Sequence, residues 1–363
     1  MIAKDLADLL KGCRPVKDSN DNIIIQSILN MQVVCLTTDD EFSLDDRFEN
    51  PFNALKAGNS SYGEITFSNK TNKEVIIPTQ MAVMTKQSAQ NHGMTKAGYV
   101  DKNDIVTFHD AGCVQGSQTG HFRNTSEFRM LPISMREMVF DTVGSRPGLD
   151  RIYPSIMNLG NATKSGTGKY LDKYFSKYDK KLEQFIAHFE RPKNLIGIIV
   201  FIDGEIVAID KFPSFTYAEQ VWDVMIRDCY GSLAIISELE NKTPKTHFTD
   251  TFNKMSKDGN IVNSLDKALK KTKSKLTKSV NEKIQEILDV SFDYKKDDVG
   301  NPTNGKSPKS YMIESEGYIG QVIVENEFNH LVSVVKRETF NANNLRKVNE
   351  LRRKARRQDR FSL

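Results

Sequence analysis

The sequence predicts an α+β fold whose first half is mostly antiparallel β-structure. Short strand-like runs separated by turn residues recur from residue 23 to residue 108. The pair Asp203-Gly204 between two β-rich runs predicts a central hairpin, because the favoured two-residue turn needs positive φ at its central positions. A broad apolar stripe from Ala218 to Ile236 then predicts a long buried helix.

The elements follow in a clear order along the chain. The predicted strands of the first half are 23–25, 33–36, 62–68, 74–77 and 105–108. The polar stretch 68–73 predicts an antiparallel hairpin loop between two of them. A short helix is expected at 135–140 and a loop at 160–169, and apolar residues at helical spacing predict a second helix over 182–189.

The second half begins with the hairpin formed by 195–201 and 205–209. Thr216 and Glu219 fit a capping box at the start of the long helix, which runs to about Leu239. Beyond it we predict a lysine-rich amphipathic helix, three strands and a basic terminal helix. The sequence therefore predicts two units, an α+β domain at 1–240 and a basic helical and β C-terminal appendage at 241–363.

Composition sets limits on the class of protein. Of 363 residues, 38% are hydrophobic and 27% are charged, which is typical of a globular protein. The longest apolar run, 195–202, is far shorter than the roughly 20 residues of a membrane helix, so no membrane association is expected. The N-terminus lacks the apolar core of a signal peptide, which favours the cytoplasm. The four cysteines have no C-x-x-C spacing, so neither a metal site nor a disulfide framework is predicted.

Positive charge is concentrated in two segments of the second half. Eight Lys or Arg residues against two acids give residues 346–360 a local charge of +6, and residues 264–283 carry +5. The remainder of the chain is mildly acidic. The terminal segment could neutralise several phosphates of a nucleic acid or dock on a host protein, and the other reading is a solvated helix end. Its candidate contact residues are Arg352, Arg353, Lys354, Arg356 and Arg357.

The segment from Lys86 to His121 holds an unusual density of amides, imidazoles and glycines. We predict a ligand site here, in which Lys86 counters phosphate charge, glutamines orient the ligand and main-chain amides receive its oxygens. The competing interpretation is a tight, hydrogen-bonded turn system after a strand. The predicted ligand-binding residues are Lys86, Gln87, Gln90, Asn91, His92, Gln115, Gly116, Ser117, Gln118 and His121.

Cys113 is the candidate nucleophile within that segment. A thiolate paired with an imidazole is the attacking form of cysteine, and His109 and Asp110 precede it closely in the chain, while His92 and His121 are alternative bases. The competing interpretation is a buried, inert thiol, because cysteine commonly occupies core positions.

The order of these features resembles the ARPP family, the ADP-ribosylglycohydrolase and rhodanese-phosphatase-superfamily-associated protein domain. The resemblance is carried by 65–69, 75–78, Lys86-Gln87, the phrase 110–115 and Gln220-Val-Trp222, within roughly residues 23–240. Family members occur in bacteria and large tailed phages. The family name implies ADP-ribose or nucleotide chemistry without an established catalytic activity.

Together these observations predict an ADP-ribose- or nucleotide-linked binding protein, with or without enzymatic activity, whose ligand is ADP-ribose or an NAD-related molecule. The alternative is a non-catalytic, phage-encoded interaction protein in the host cytoplasm. That protein would use its basic arms on a host protein or a nucleic acid.

Overall fold

The computed structural model describes residues 4–28, 31–39, 46–58, 63–85, 91–109, 111–116, 126–141, 152–202, 204–239, 280–296 and 308–337. Within these ranges both helices and antiparallel sheets are present, which confirms the predicted α+β class. The helices are α1 (Leu6–Leu9), α2 (Pro51–Ala54), α3 (Arg136–Asp141), α4 (Ile152–Ala162), α5 (Asp172–Ile186), α6 (Phe215–Val224) and α7 (Gly231–Leu239). Residues 280–288 are also helical.

The largest sheet within the described ranges has ten strands, and every pairing in it is antiparallel. Its strands are β1 (Lys4–Asp5), β2 (Arg14–Pro15), β3 (Ile25–Ile28), β4 (Met31–Thr37), β14 (Leu195–Ile202), β15 (Glu205–Lys211), β16 (Ser291–Lys296), β17 (Lys309–Glu314), β18 (Tyr318–Glu325) and β19 (Phe328–Lys336). The order is β1-β16-β17-β18-β19-β15-β14-β4-β2, with β3 beside β4.

Three smaller antiparallel sheets pack near this large sheet. One contains β5 (Leu55–Ala57), β6 (Ile65–Asn69) and β11 (Ile105–Phe108). A second pairs β7 (Val75–Ile77) with β10 (Gly98–Val100). The third, which carries the predicted site, contains β8 (Met81–Thr85), β9 (His92–Gly93), β12 (Gly112–Cys113) and β13 (Ser126–Met130) in the order β12-β9-β8-β13.

Both faces of the large sheet are buried, which explains the continuous apolar run of β14. One core contains Ile198 and Val200 together with the buried helical residues between Tyr217 and Ile235. A second core contains Ile199 and Phe201 together with α1 and the helical residues 280–288. A strand buried on both faces lacks the alternation of a half-exposed strand, so the sequence of β14 is apolar throughout.

The central hairpin is confirmed. β14 and β15 pair directly, and Gly204 in the turn has φ +80°. The other predicted hairpin, between β6 and β7, is wrong, because β6 pairs with β5 and β11 while β7 pairs with β10. Asn69 shapes the connection instead, and its Nδ2 donates to the carbonyls of Lys73 at 2.8 Å and Asp101 at 2.9 Å.

The predicted long buried helix is present as a continuous helical run from Phe215 to Leu239. Its middle, Met225–Tyr230, is π-helical and separates α6 from α7. The N-cap is Ser214, whose extended backbone lets its hydroxyl accept from the Tyr217 N–H at 3.2 Å. The predicted capping box on Thr216 is therefore wrong.

Strands from both sides of residue 240 share the large sheet. β19 pairs with β15 along residues 208–211, and β18 and β17 follow it. The predicted division into 1–240 and 241–363 stays a prediction about folding units, since the sheet itself has no boundary there. The lysine-rich segment before residue 280 and the basic terminal helix lie outside the described residues.

A buried ion pair between Arg136 and Asp210 joins α3 to the large sheet. Arg136 is 1% exposed, and its Nη1 lies 2.9 Å from both carboxylate oxygens of Asp210 on β15. Its Nε donates to Gln80 Oε1 at 2.6 Å, and Ser333 on β19 donates to Asp210 at 2.7 Å. The hydroxyl of Tyr230, the last π-helical residue, also donates to Asp210.

Burial and charge act in opposite directions on this cluster. Burial alone would lower the pKa of Arg136, because it disfavours the charged guanidinium. The neighbouring Asp210 carboxylate favours the charged form, and the net pKa of Arg136 is raised. Burial raises the pKa of the Cys229 thiol to about 12 although Arg136 opposes the shift. The Arg136 guanidinium therefore stays charged, while the neighbouring Cys229 thiol stays protonated.

A second cluster ties the β18–β19 turn to the smaller sheets. Arg47 contacts Glu74 at 2.7 Å and also pairs with Glu325 at the end of β18. The ring of His330 lies between Phe48 and Phe328, and its Nε2 is 3.4 Å from Glu325. Burial, followed by the charge of Arg47, lowers the pKa of His330 to about 4.

We expect Asp210→Asn to lower the free energy of unfolding by about 3–5 kcal/mol, because it leaves the buried Arg136 charge without its counter-ion. Urea unfolding measures this change. Asp223→Asn, at an exposed site in α6, is the matched control and should change stability by less than about 0.5 kcal/mol. A loss below about 1 kcal/mol for Asp210→Asn would show that the pair is not needed.

The pH dependence of stability should contain a contribution from His330. Between pH 6.5 and about 4 the unfolded chain binds a proton that the folded imidazole excludes, so this group destabilises the fold as the pH falls. Urea unfolding at pH 7 and pH 4.5 measures how much free energy of unfolding is lost on acidification. We expect this loss to be about 2 kcal/mol smaller for His330→Gln than for the unsubstituted protein. Equal losses would contradict the buried neutral imidazole.

Candidate functional site

Two very short strands, β9 and β12, form the centre of the candidate site. Gly93 faces Gly112 and His92 faces Cys113, so each pair lies on a common face of the sheet. A Cβ on Gly112 would lie 1.7 Å from Ile152 Cδ1 of α4, and one on Gly93 would lie 2.6 Å from Leu131 Cδ1. Neighbouring side chains therefore pack directly on the backbone at both glycines, and a larger residue would force Ile152 or Leu131 to shift.

The thiol of Cys113 lies in the protein interior. Cys113 is fully buried, and its Sγ donates to the main-chain oxygen of Gln115 at 3.0 Å. The Tyr153 hydroxyl donates to the same oxygen at 3.0 Å and lies 3.3 Å from the sulfur. These contacts fix the chain after β12 and direct the sulfur away from solvent.

Gln115 connects the chain after β12 to the residue that precedes β9. Its side-chain Oε1 accepts from the Asn91 N–H at 3.3 Å, and the Val114 N–H donates to the Asn91 carbonyl at 2.9 Å. The Gln115 Nε2 group has no acceptor within the described residues. The Oε1 atom of this amide therefore has a structural role, whereas the two N–H donors on Nε2 are available to a ligand.

Gly116 and Lys169 lie against each other at the exposed edge of the site. A Cβ on Gly116 would lie 2.7 Å from Lys169 Cβ, so the lysine side chain packs directly on the glycine. Lys169 is exposed, and its ammonium lies 5.1 Å from the centroid of the Tyr153 ring. The sequence predicts a loop at Lys169 and does not indicate a role in the site. The proximity of Lys169 to Gly116 depends on how α4 and α5 pack.

His109 lies on a different sheet, at the end of β11. It is exposed, and its Nδ1 is 2.5 Å from Glu64 Oε1. The strand register places His92 opposite Cys113, so among the candidate bases described here His92 is the one beside the thiol. The catalytic assignment to Cys113, His109 and Asp110 stays a prediction.

Several predicted site residues lie outside the described ranges. In the candidate ligand site these are Lys86, Gln87, Gln90, Asp110, Ser117, Gln118 and His121. The candidate contacts of the terminal arm, Arg352, Arg353, Lys354, Arg356 and Arg357, lie outside them as well. The site that the described residues bring together consists of Asn91, His92, Cys113, Gln115, Gly116, Tyr153 and Lys169.

A buried lysine near this site was also missed from the sequence. Lys96 follows β9 and is 1% exposed, and Thr95 beside it would contact a Cβ on Gly112 at 3.5 Å. The phrase Met94-Thr-Lys-Ala-Gly98 has the composition of an exposed turn, so nothing local indicates burial.

Other features of the described chain lie elsewhere. A pocket of about 340 Å³ lies between β3, β4 and residues 188–192, where Gln26, Cys35 and Arg191 contribute to its lining. In the described ranges no three histidine, cysteine or acidic side chains are grouped as metal ligands would be. None of the helices described is long and apolar enough to span a membrane.

Comparison with known proteins adds one relationship. The ARPP-1 domain, described as the ARG and Rhodanese-Phosphatase-superfamily-associated Protein domain, matches residues 25–293. That range contains the candidate site, the central hairpin and the buried helical run. No curated protein and no solved structure matches the chain.

Thiol reactivity separates the two interpretations of Cys113. Because Cys13 is half-buried and the other three cysteines are buried, we expect a thiol reagent to modify Cys13 first in the native protein. Cys113 should react only after denaturant is added, and peptide mass spectrometry can locate each label. Rapid native labelling of Cys113 would contradict its burial and would favour the nucleophile assignment.

Proposed function

The chain belongs to the ARPP-1 family, and on that premise we propose that it binds ADP-ribose or a related nucleotide beside Gln115, Gly116 and Lys169. The family description associates these domains with ADP-ribosylglycohydrolase and with the rhodanese-phosphatase superfamily. We take the first of these names as the guide to the ligand class, which is ADP-ribose. A ligand of this class carries two linked phosphates, so its site must supply positive charge and N–H donors.

The observation that carries the proposal is a set of available donors at one edge of the fold. Within the described residues the Gln115 Nε2 has no acceptor, and Lys169 has no carboxylate within 4 Å. The main chain at Gly116 is held by the bridge between Gln115 and Tyr170, which keeps Gln115 and Lys169 at the same edge. An ammonium and a side-chain amide at one edge suit a phosphate group.

The rigidity of this edge supports the same function. The Gln115 carbonyl is held by both Cys113 and Tyr153, and the Leu171 N–H donates to the Val114 carbonyl at 3.1 Å. The donors are therefore preorganised, which lowers the ordering cost of binding. In this arrangement Cys113 positions the chain and does not touch the ligand.

Isothermal titration of the full chain with ADP-ribose, ADP, NAD and ribose 5-phosphate tests the proposal. ADP-ribose should bind, and Lys169→Ala should weaken it about tenfold or more because a charge-assisted hydrogen bond is lost. Lys169→Arg should retain most of the affinity. Lys193→Ala, at an exposed lysine before β14, is the control and should bind like the unsubstituted protein.

Absence of binding for all four ligands would contradict the proposal. So would a Lys169→Ala variant that binds ADP-ribose as tightly as the control. Circular dichroism of each variant establishes that the fold is retained, and retention is expected because both lysines are exposed.

A further inference from the structure

Four exposed lysines lie together on α5 and on the turn after α4. We refer to Lys164, Lys173, Lys177 and Lys180 as the lysine face. Positions 173, 177 and 180 repeat at helical spacing, so they lie on one side of α5 and span about 10 Å. Lys177 Nζ donates to the Lys164 carbonyl at 2.5 Å, which fixes the turn beside the helix.

The acidic residues of α5 do not neutralise this face. Asp179 is engaged by Arg129, with contacts of 2.8 and 3.1 Å, and Glu183 is engaged by Arg227 at 3.0 Å. In the part of the chain that is described, no carboxylate lies within 4 Å of any lysine-face ammonium. Asp179 and Glu183 are thus held by arginines of other elements. Asp172, the first residue of α5, is exposed and contacts none of the four ammonium groups within 4 Å, so the lysine face stays net positive.

An aromatic ring borders the lysine face. Tyr170, directly before α5, is half-exposed, and the Lys173 ammonium lies 4.8 Å from the centroid of its ring. The main chain of Tyr170 is fixed by its bridge to Gln115. A half-exposed aromatic ring next to a row of cations can stack a base while the cations follow the phosphates.

From this arrangement we propose that the lysine face binds single-stranded nucleic acid. A stacked strand carries one phosphate per about 3.4 Å, so about three phosphates fit along the 10 Å row. An acidic peptide would satisfy the charge but would leave the aromatic ring without a role. A duplex would offer phosphates but keep its bases stacked inside, away from Tyr170. This activity is separate from ADP-ribose binding and does not involve Lys169.

Fluorescence anisotropy with a labelled 20-nucleotide oligo-dT and the full chain tests the proposal. The triple variant Lys173→Glu, Lys177→Glu, Lys180→Glu should weaken binding at least tenfold and reduce the salt dependence of the affinity. The matched control reverses three exposed lysines elsewhere, Lys11, Lys102 and Lys193, with the same change in net charge. It should bind within about threefold of the unsubstituted protein, because long-range attraction alone is screened.

Stacking is tested separately at Tyr170. Tyr170→Ala should weaken oligo-dT binding roughly tenfold, whereas Tyr170→Phe, which keeps the ring, should bind normally. Equal affinities of the lysine-face triple variant and its control would overturn the proposal, since binding would then lie elsewhere in the chain. It would also be overturned by a polyglutamate peptide, or a duplex of equal length, that binds more tightly than oligo-dT.

The two proposals fail independently. Because the lysine-face triple variant keeps Lys169, Gln115 and Gly116, it should bind ADP-ribose normally in the titration described above. Loss of oligo-dT binding with retained ADP-ribose binding is the expected result. Loss of both, in a variant that remains folded, would show one shared site and would overturn the assignment of a separate lysine face.

Discussion

The buried pair of Arg136 and Asp210 is the constraint on which the arrangement of the sheets depends. Moving two charges out of water costs several kcal/mol each, and the fold offsets this cost with hydrogen bonds from three further elements. Gln80 accepts from Arg136, while Ser333 and Tyr230 donate to Asp210. The ion pair has a defined geometry, and it therefore fixes one position of α3 against the large sheet.

Gln80 connects the buried Arg136–Asp210 pair to the candidate site. Its main-chain N–H donates to Met94 at 3.2 Å, directly after β9, and its carbonyl accepts from Leu131 at 2.8 Å, directly after β13. Leu131 in turn packs on Gly93. The edge that presents Gln115 and Gly116 is thus linked to the buried pair by a short series of contacts, and α4 covers it through Ile152 and Tyr153.

Local patterns predicted the elements of this fold better than their partners. The Asp-Gly turn, the apolar helical stripe and the antiparallel strands depend on neighbouring residues and were visible in the sequence. The β6–β7 hairpin failed because strand propensity does not specify which strand pairs with which. The Arg136–Asp210 pair was not predictable, since it joins residues 74 positions apart in the chain.

The candidate site was predictable only in part, for the same reason. Asn91, His92, Cys113 and Gln115 were selected because polar residues and glycines are dense there, and the β9–β12 pairing brings these four together. Lys169 belongs to a segment some fifty residues later, and only the packing of α4 and α5 brings it to Gly116. The lysine face could not be predicted from the sequence, because acidic residues lie among its lysines. Only the structure shows that Asp179 and Glu183 pair with arginines instead.

Amide hydrogen exchange of the full chain, with and without ADP-ribose, tests most directly whether this preorganised edge is the ligand site. We expect slower exchange at 91–93, 112–116 and 169–171 when the ligand is present, with little change on the outer strands of the large sheet. Protection confined to 24–28 and 188–192, which line the pocket near Cys35, would contradict it.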